Sequence, residues 1–177
     1  MTYISSIKDL TIFLRKQLIR QSCLKDEFVR NVLSQHGVDL DKTVNNSVLE
    51  ALDKNDLCLF FELKTKASSS NATMTINEEI VTYQSFSLHC ICYGTDSTML
   101  MSKLKGRLLT EQNLDLCQAN GIYIESISDI ETINEFVNET MIFRSDLDIN
   151  LTCAFKFPQV DETQYFTEIS SLKVERI

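Results

Sequence analysis

The sequence holds one proline, four glycines and two histidines in 177 residues, and each scarcity excludes something. There is no G-x-x-x-x-G-K and no G-x-G-x-x-G, so nothing resembles a phosphate-cradling loop. His36 stands beside Gly37 at a predicted helix end, where a surface or capping role is the default. His89 falls inside a predicted strand, and its neighbours Cys90 and Cys92 face the other way, so adjacency does not make a Cys–His dyad. A meeting of Cys117 with His36 through the fold is the pairing left open. The six cysteines include no C-x-x-C. A zinc site needs four converging ligands, and no short Cys/His spacing supplies them. Scattered in apolar segments, the cysteines read as small buried hydrophobes of a reducing compartment.

Positive charge is also short: 17 Lys and Arg against 25 Asp and Glu give a net charge of −8. Such a surface repels phosphates, which argues against general nucleic-acid affinity. Lys103, Lys105 and Arg107 are a local exception and read as the solvated face of a helix. No apolar run approaches the ~18 residues of a membrane span. The start carries a charged pair by position 9 and no apolar stretch, so it does not read as a secretory signal. The expectation is a protein made in a cytoplasm, with no membrane partner.

What is present suits one folded domain. Hydrophobic residues make up 44% and charged residues 24%, a globular balance that allows a sizeable core. Ser5 or Ser6 can cap a helix with the stripe Ile7, Leu10, Phe13, Leu14 and Leu18. A second helix is predicted over residues 25–35, stopped by Gly37, and residues 38–54 hold a short helix or a loop. Residues 57–63, apolar nearly throughout, read as a central strand. Residues 64–77, rich in Ser, Thr and Asn, read as an exposed hairpin tip or loop.

Residues 79–93 form a second strand, with Ile80, Phe86, Leu88, Cys90 and Cys92 on one face and Tyr83, Ser85, Ser87, His89 and Tyr93 on the other. Gly94 ends it. Asp96 or Ser97 caps a helix with Leu100, Leu104 and Leu108 in line, and a short helical turn over 113–118 stops at Asn120-Gly121. Residues 122–127 alternate as a strand, and 128–138 read as a polar, acidic connection.

The strictest alternation lies in 141–157. Phe143, Leu147, Ile149, Leu151, Cys153, Phe155 and Phe157 take the odd positions. Arg144, Asp146, Asp148, Asn150, Thr152 and Lys156 take the even ones. A one-residue slip would turn the whole apolar set to water, so the register is well specified. At ~3.3 Å per residue such a strand exceeds 50 Å, and it must bend, bulge or project. Pro158 ends it. The expected fold class is α+β, a mixed, mainly antiparallel sheet with helices on one face. Residues 1–160 form the domain, and 161–177 add an edge strand or a tail.

Acidic pairs such as Glu78-Glu79, or Asp146 with Asp148 on one strand face, have a geometry that two-metal sites use. An outward charged face needs no metal, and the sequence names no catalytic residue, cofactor or metal ligand. The candidate subunit or partner interface is Arg144, Asp146, Asp148 and Asn150 on the even face, with Lys64 and Lys66 at the start of the polar insertion.

Several local features together resemble the tail-terminator or neck proteins of tailed bacteriophages. A strand ends in the Tyr93-Gly94 step and a helix follows. A Gly121-Ile122 strand leads to a Ser128-Asp129 loop, and Phe143-Arg144 opens a long alternating strand. The resemblance covers about 80–157, and residues 165–177 have no counterpart in it. It implies a homo-oligomeric ring, usually a hexamer, that caps the tail tube, stops its polymerisation and offers a surface to head-completion proteins. In contractile phages such a ring also touches the sheath, and DNA passes only through its lumen. Two other readings stay open: another head-completion or sheath-associated tail protein, and a small α+β ligand-binding or enzymatic domain.

Overall fold

The computed structural model describes residues 4–31, 56–66, 73–76, 79–137 and 140–158. Helix α1 (Ile7–Ser22) starts at Ser6, whose Oγ accepts the Asp9 N–H at 3.1 Å. The Ser6 and Ser5 hydroxyls in turn donate to the Asp9 carboxylate at 2.7 and 2.9 Å. Both bonds favour the ionised acid, Ser6 most, and hold it below the usual carboxylate range. The predicted stripe is the buried side of this helix, with Leu10, Leu14 and Leu18 inside.

The second helix predicted over 25–35 is not present in its described part. Instead, one 3-10 turn (Asp26–Phe28) leads into strand β1 (Val29–Asn31). Val29 is fully buried beside Leu59 of strand β2 (Cys58–Thr65), and this parallel pairing overrides the local helical pattern. Residues 32–55, with His36 and the predicted short helix or loop, lie outside the described residues, as do 67–72 and the C-terminal segment.

Strand β3 (Thr73–Ile76) pairs with the start of strand β4 (Glu79–Tyr93). Gly94 ends β4 with φ +120, and a Cβ there would lie 2.7 Å from the Asp56 carbonyl oxygen. The position therefore requires glycine both for its backbone angle and for its space. Helices α2 (Ser97–Leu108) and α3 (Glu111–Ala119) follow, the latter longer than the predicted turn. Asp96 occupies the N-cap position of α2 without a side-chain cap bond. Strand β5 (Ile122–Ile127) is where alternation placed it.

The acidic connection predicted over 128–138 is in its described part largely a strand, β6 (Glu131–Val137), antiparallel to the start of strand β7 (Thr140–Pro158). Thr132, Ile133, Asn134 and Phe136 are all exposed. Without a buried face there is no alternation to read, and the backbone ladder alone makes this a strand.

The sheet order is β1-β2-β4-β7-β5, with β3 also on β4 and β6 also on β7. Among the described strands only β1 with β2 is parallel. The long strands β4 and β7 pair from Glu79↔Pro158 to Tyr93↔Arg144 and form the spine. The length of β7 is thus taken up inside the chain: β4 lines one edge, and β5 and β6 share the other. The strand does not by its length require a neighbour.

The register puts Leu59, Phe61, Phe86, Leu88, Leu147, Ile149 and Leu151 on one face, all buried under the three helices in a single cluster. Each such side chain contributes about 1.5–3 kcal/mol. The fold class is α+β with a mixed, mainly antiparallel sheet.

Candidate functional site

The opposite face of the sheet carries the polar residues. Because directly opposed residues of an antiparallel pair share a face, rows of side chains cross it from strand to strand. One row is Cys58, Tyr93, Arg144 and Ile133; the next is Phe60, Ile91, Asp146 and Glu131. Then come Glu62, His89 and Asp148, and after them Lys64, Ser87, Asn150 and Ser126. All four β7 candidates and Lys64 therefore lie on one surface. Lys66 is exposed just past β2, its backbone N–H bonded to the Ser85 carbonyl at 3.0 Å.

These groups are organised among themselves rather than free. Arg144 donates from Nε and Nη2 to the two oxygens of Asp146 at 2.7 and 2.6 Å, and its guanidinium lies 5.9 Å from the centre of the Tyr93 ring. The fork geometry gives a strong, orientation-specific pair, and it leaves Asp146 only 8% exposed. The even face is thus not a simple solvated row of charges. His89 stands between the two aspartates, with Nδ1 2.7 Å from Asp148 and Nε2 3.6 Å from Asp146. Lys64 reaches Glu62 at 2.8 Å, and Asn150 donates to Ser126 at 2.9 Å.

At the Tyr93 end the same face turns apolar. Phe60 meets Tyr93 edge-on, ring centres 5.7 Å apart, and Cys58 is buried beside Phe28 and Phe60.

The sequence supplied most of this face but not its centre. His89 and Glu62 enter through the β2–β4–β7 register, which is non-local. The signal available was the odd-numbered face of β4, where His89 alternates with Ser87 and Tyr93.

The five buried thiols do not supply a nucleophile. Burial, the leading cause in each case, raises Cys92 and Cys153 to about 12 and Cys58 and Cys117 to about 11; Cys90 is raised as well. A thiol held protonated in this way is inert at neutral pH. Among the described residues no group of three His, Cys, Asp or Glu is placed to hold a metal, and no helix is long and apolar enough to cross a membrane. The apolar cavity between α1, α3 and the sheet measures about 20 Å³, room for a water and no more.

What the molecule presents is therefore a structured surface on a rigid sheet. The model of the phage neck terminator protein family matches residues 21–176, which takes in the last two residues of α1 and all the described strands. The chain belongs to that family: it is a structural protein of the phage neck and tail, a component of the virion whose partners are other head and tail proteins. No curated protein matches it in sequence.

Proposed function

We propose that the chain is a tail-terminator subunit that forms a ring, usually a hexamer, on the end of the tail tube. The ring ends tube polymerisation and presents the surface to which head-completion proteins join. In a contractile tail it also meets the last layer of sheath. The observation that carries this reading is the ordered polar face of the β4–β7 sheet in a chain of the neck terminator family. Arg144, Asp146, Asp148, Asn150 and Lys64 are pre-positioned there, with Lys66 just past β2, so docking costs little side-chain entropy. We assign this face to the tube and head-completion neighbours. The net charge of −8 suits a channel past which DNA slides without sticking.

Mass photometry of the purified chain over a concentration series tests this. The expected particle has about six times the 20.3 kDa subunit mass, and it does not retain duplex DNA at physiological salt. A chain that stays monomeric, both free and on isolated tail tubes, contradicts the reading.

A further inference from the structure

A ring needs two different surfaces on each subunit that fit one another, because a head-to-tail contact repeats until it closes. The chain carries two surfaces of this kind, one on the helical side and one along the sheet edge that borders the polar face. Helices α1 and α2 hold seven cations and a single acid, although the protein as a whole is at −8. Part of this charge is used inside the chain: Arg15 pairs with Asp26 at 2.7 Å, and Lys105 with Asp129 at 3.2 Å. Along α1, however, Lys8, Ile12, Lys16 and Arg20 follow one another at i, i+4 spacing and are all exposed. None of the three cations makes an ion pair among the described residues. Ile12, 42% exposed, sits between two of them. Lys16 and Arg20 are like charges one turn apart, an arrangement that disfavours the isolated helix.

The second surface is the outer edge of β5 and β6. Between Arg107 and Arg144 the sequence has seven acidic residues and no Lys, Arg or His. Glu125 and Glu131 are exposed there, Glu125 also accepting the Thr152 hydroxyl. Ile133 follows Glu131 on the same side of the edge at 37% exposure, and Phe136 stands out on the other side at 74%. Among the described residues, neither β5 nor β6 pairs with any strand other than β7. Each surface thus combines an exposed apolar group with charge mainly of one sign, Arg144 beside Ile133 being held by Asp146, and the two signs are opposite. Such pairs steer association and fix which surfaces meet.

We infer that the β5–β6 edge of one copy docks on the α1 stripe of the next, with Ile133 against Ile12 and the glutamates against Lys8, Lys16 and Arg20. This rests on the ring reading above and names its lateral contact, leaving Arg144, Asp146, Asp148, Asn150, Lys64 and Lys66 to other proteins.

Two variants test it. Lys16→Glu/Arg20→Glu makes both surfaces acidic, and Glu125→Lys/Glu131→Lys makes both basic. All four side chains are exposed, and thermal melts at the wild-type temperature verify folding. Each variant alone is expected to need roughly tenfold or more protein for half-assembly, as like charges now face each other. An equimolar mixture restores assembly, because acidic and basic subunits then alternate around an even-numbered ring. A wild-type ring whose two variants each assemble normally, or whose mixture stays apart while both fold, overturns this contact but not the ring. A wild-type chain that never forms a ring overturns the ring reading and this contact together.

Discussion

Replacing Phe86 with Ala is expected to lower the free energy of unfolding by about 3–5 kcal/mol. Phe86 is fully buried at the centre of β4, and its ring meets Phe155 of β7 edge-on at 6.0 Å. The substitution removes the transfer energy of the ring and leaves a cavity where the two spine strands meet the helices. The surrounding packing is held by β4–β7 pairing on both sides of the site, so it cannot collapse far into the space. In urea titration the midpoint falls while the slope is kept, since the same surface is exposed on unfolding. A loss under about 1 kcal/mol would mean that the spine is not the core of this domain.

The second large effect is expected at Asp146. Its carboxylate is the shared acceptor of the polar face, bidentate to Arg144 and 3.6 Å from His89. Asp146→Ala strips Arg144 of this partner in a place where the guanidinium is only 20% exposed. Breaking a fully buried pair costs about 3–5 kcal/mol, and the residual solvent contact here reduces this to about 2 kcal/mol. Arg144→Leu/Asp146→Leu removes both charges at once and is expected to recover part of the loss, because no buried charge is then left over. Chemical denaturation of Arg144→Leu, Asp146→Leu and the double variant gives the coupling energy directly. Additive losses would show that the pair is a surface decoration.

Much of the fold was legible in the sequence, for reasons these two residues illustrate. Phe86 and Leu147 belong to strict alternations in which one face is buried, so the local pattern and the core impose the same register. The i, i+4 spacing of Leu100, Leu104 and Leu108, all buried in α2, is legible on the same ground. Three strands were not. β1 has three residues and owes its form to its neighbour β2. β6 has its described side chains exposed, so its strand character comes from backbone bonds to β7. β3 lies in a stretch rich in turn-forming residues and is organised by the start of β4.

The candidate face was half legible. Arg144, Asp146, Asp148 and Asn150 could be placed on one side of one strand. That Arg144 and Asp146 close on each other, and that His89 arrives between the aspartates, depends on a pairing of residues 59 positions apart. The long strand suggested a need for neighbours, yet its whole length is paired within the chain. Assembly is therefore indicated by the chemistry of the exposed surfaces and by the family itself, not by strand length.

The central claim is that this protein ends the tail, and tail length tests it most directly. Electron micrographs of particles assembled without the protein are predicted to show headless tails with tubes of extended, variable length. Resupplying the purified chain should restore both uniform length and head joining. Headed tails of normal length in its absence would contradict the account.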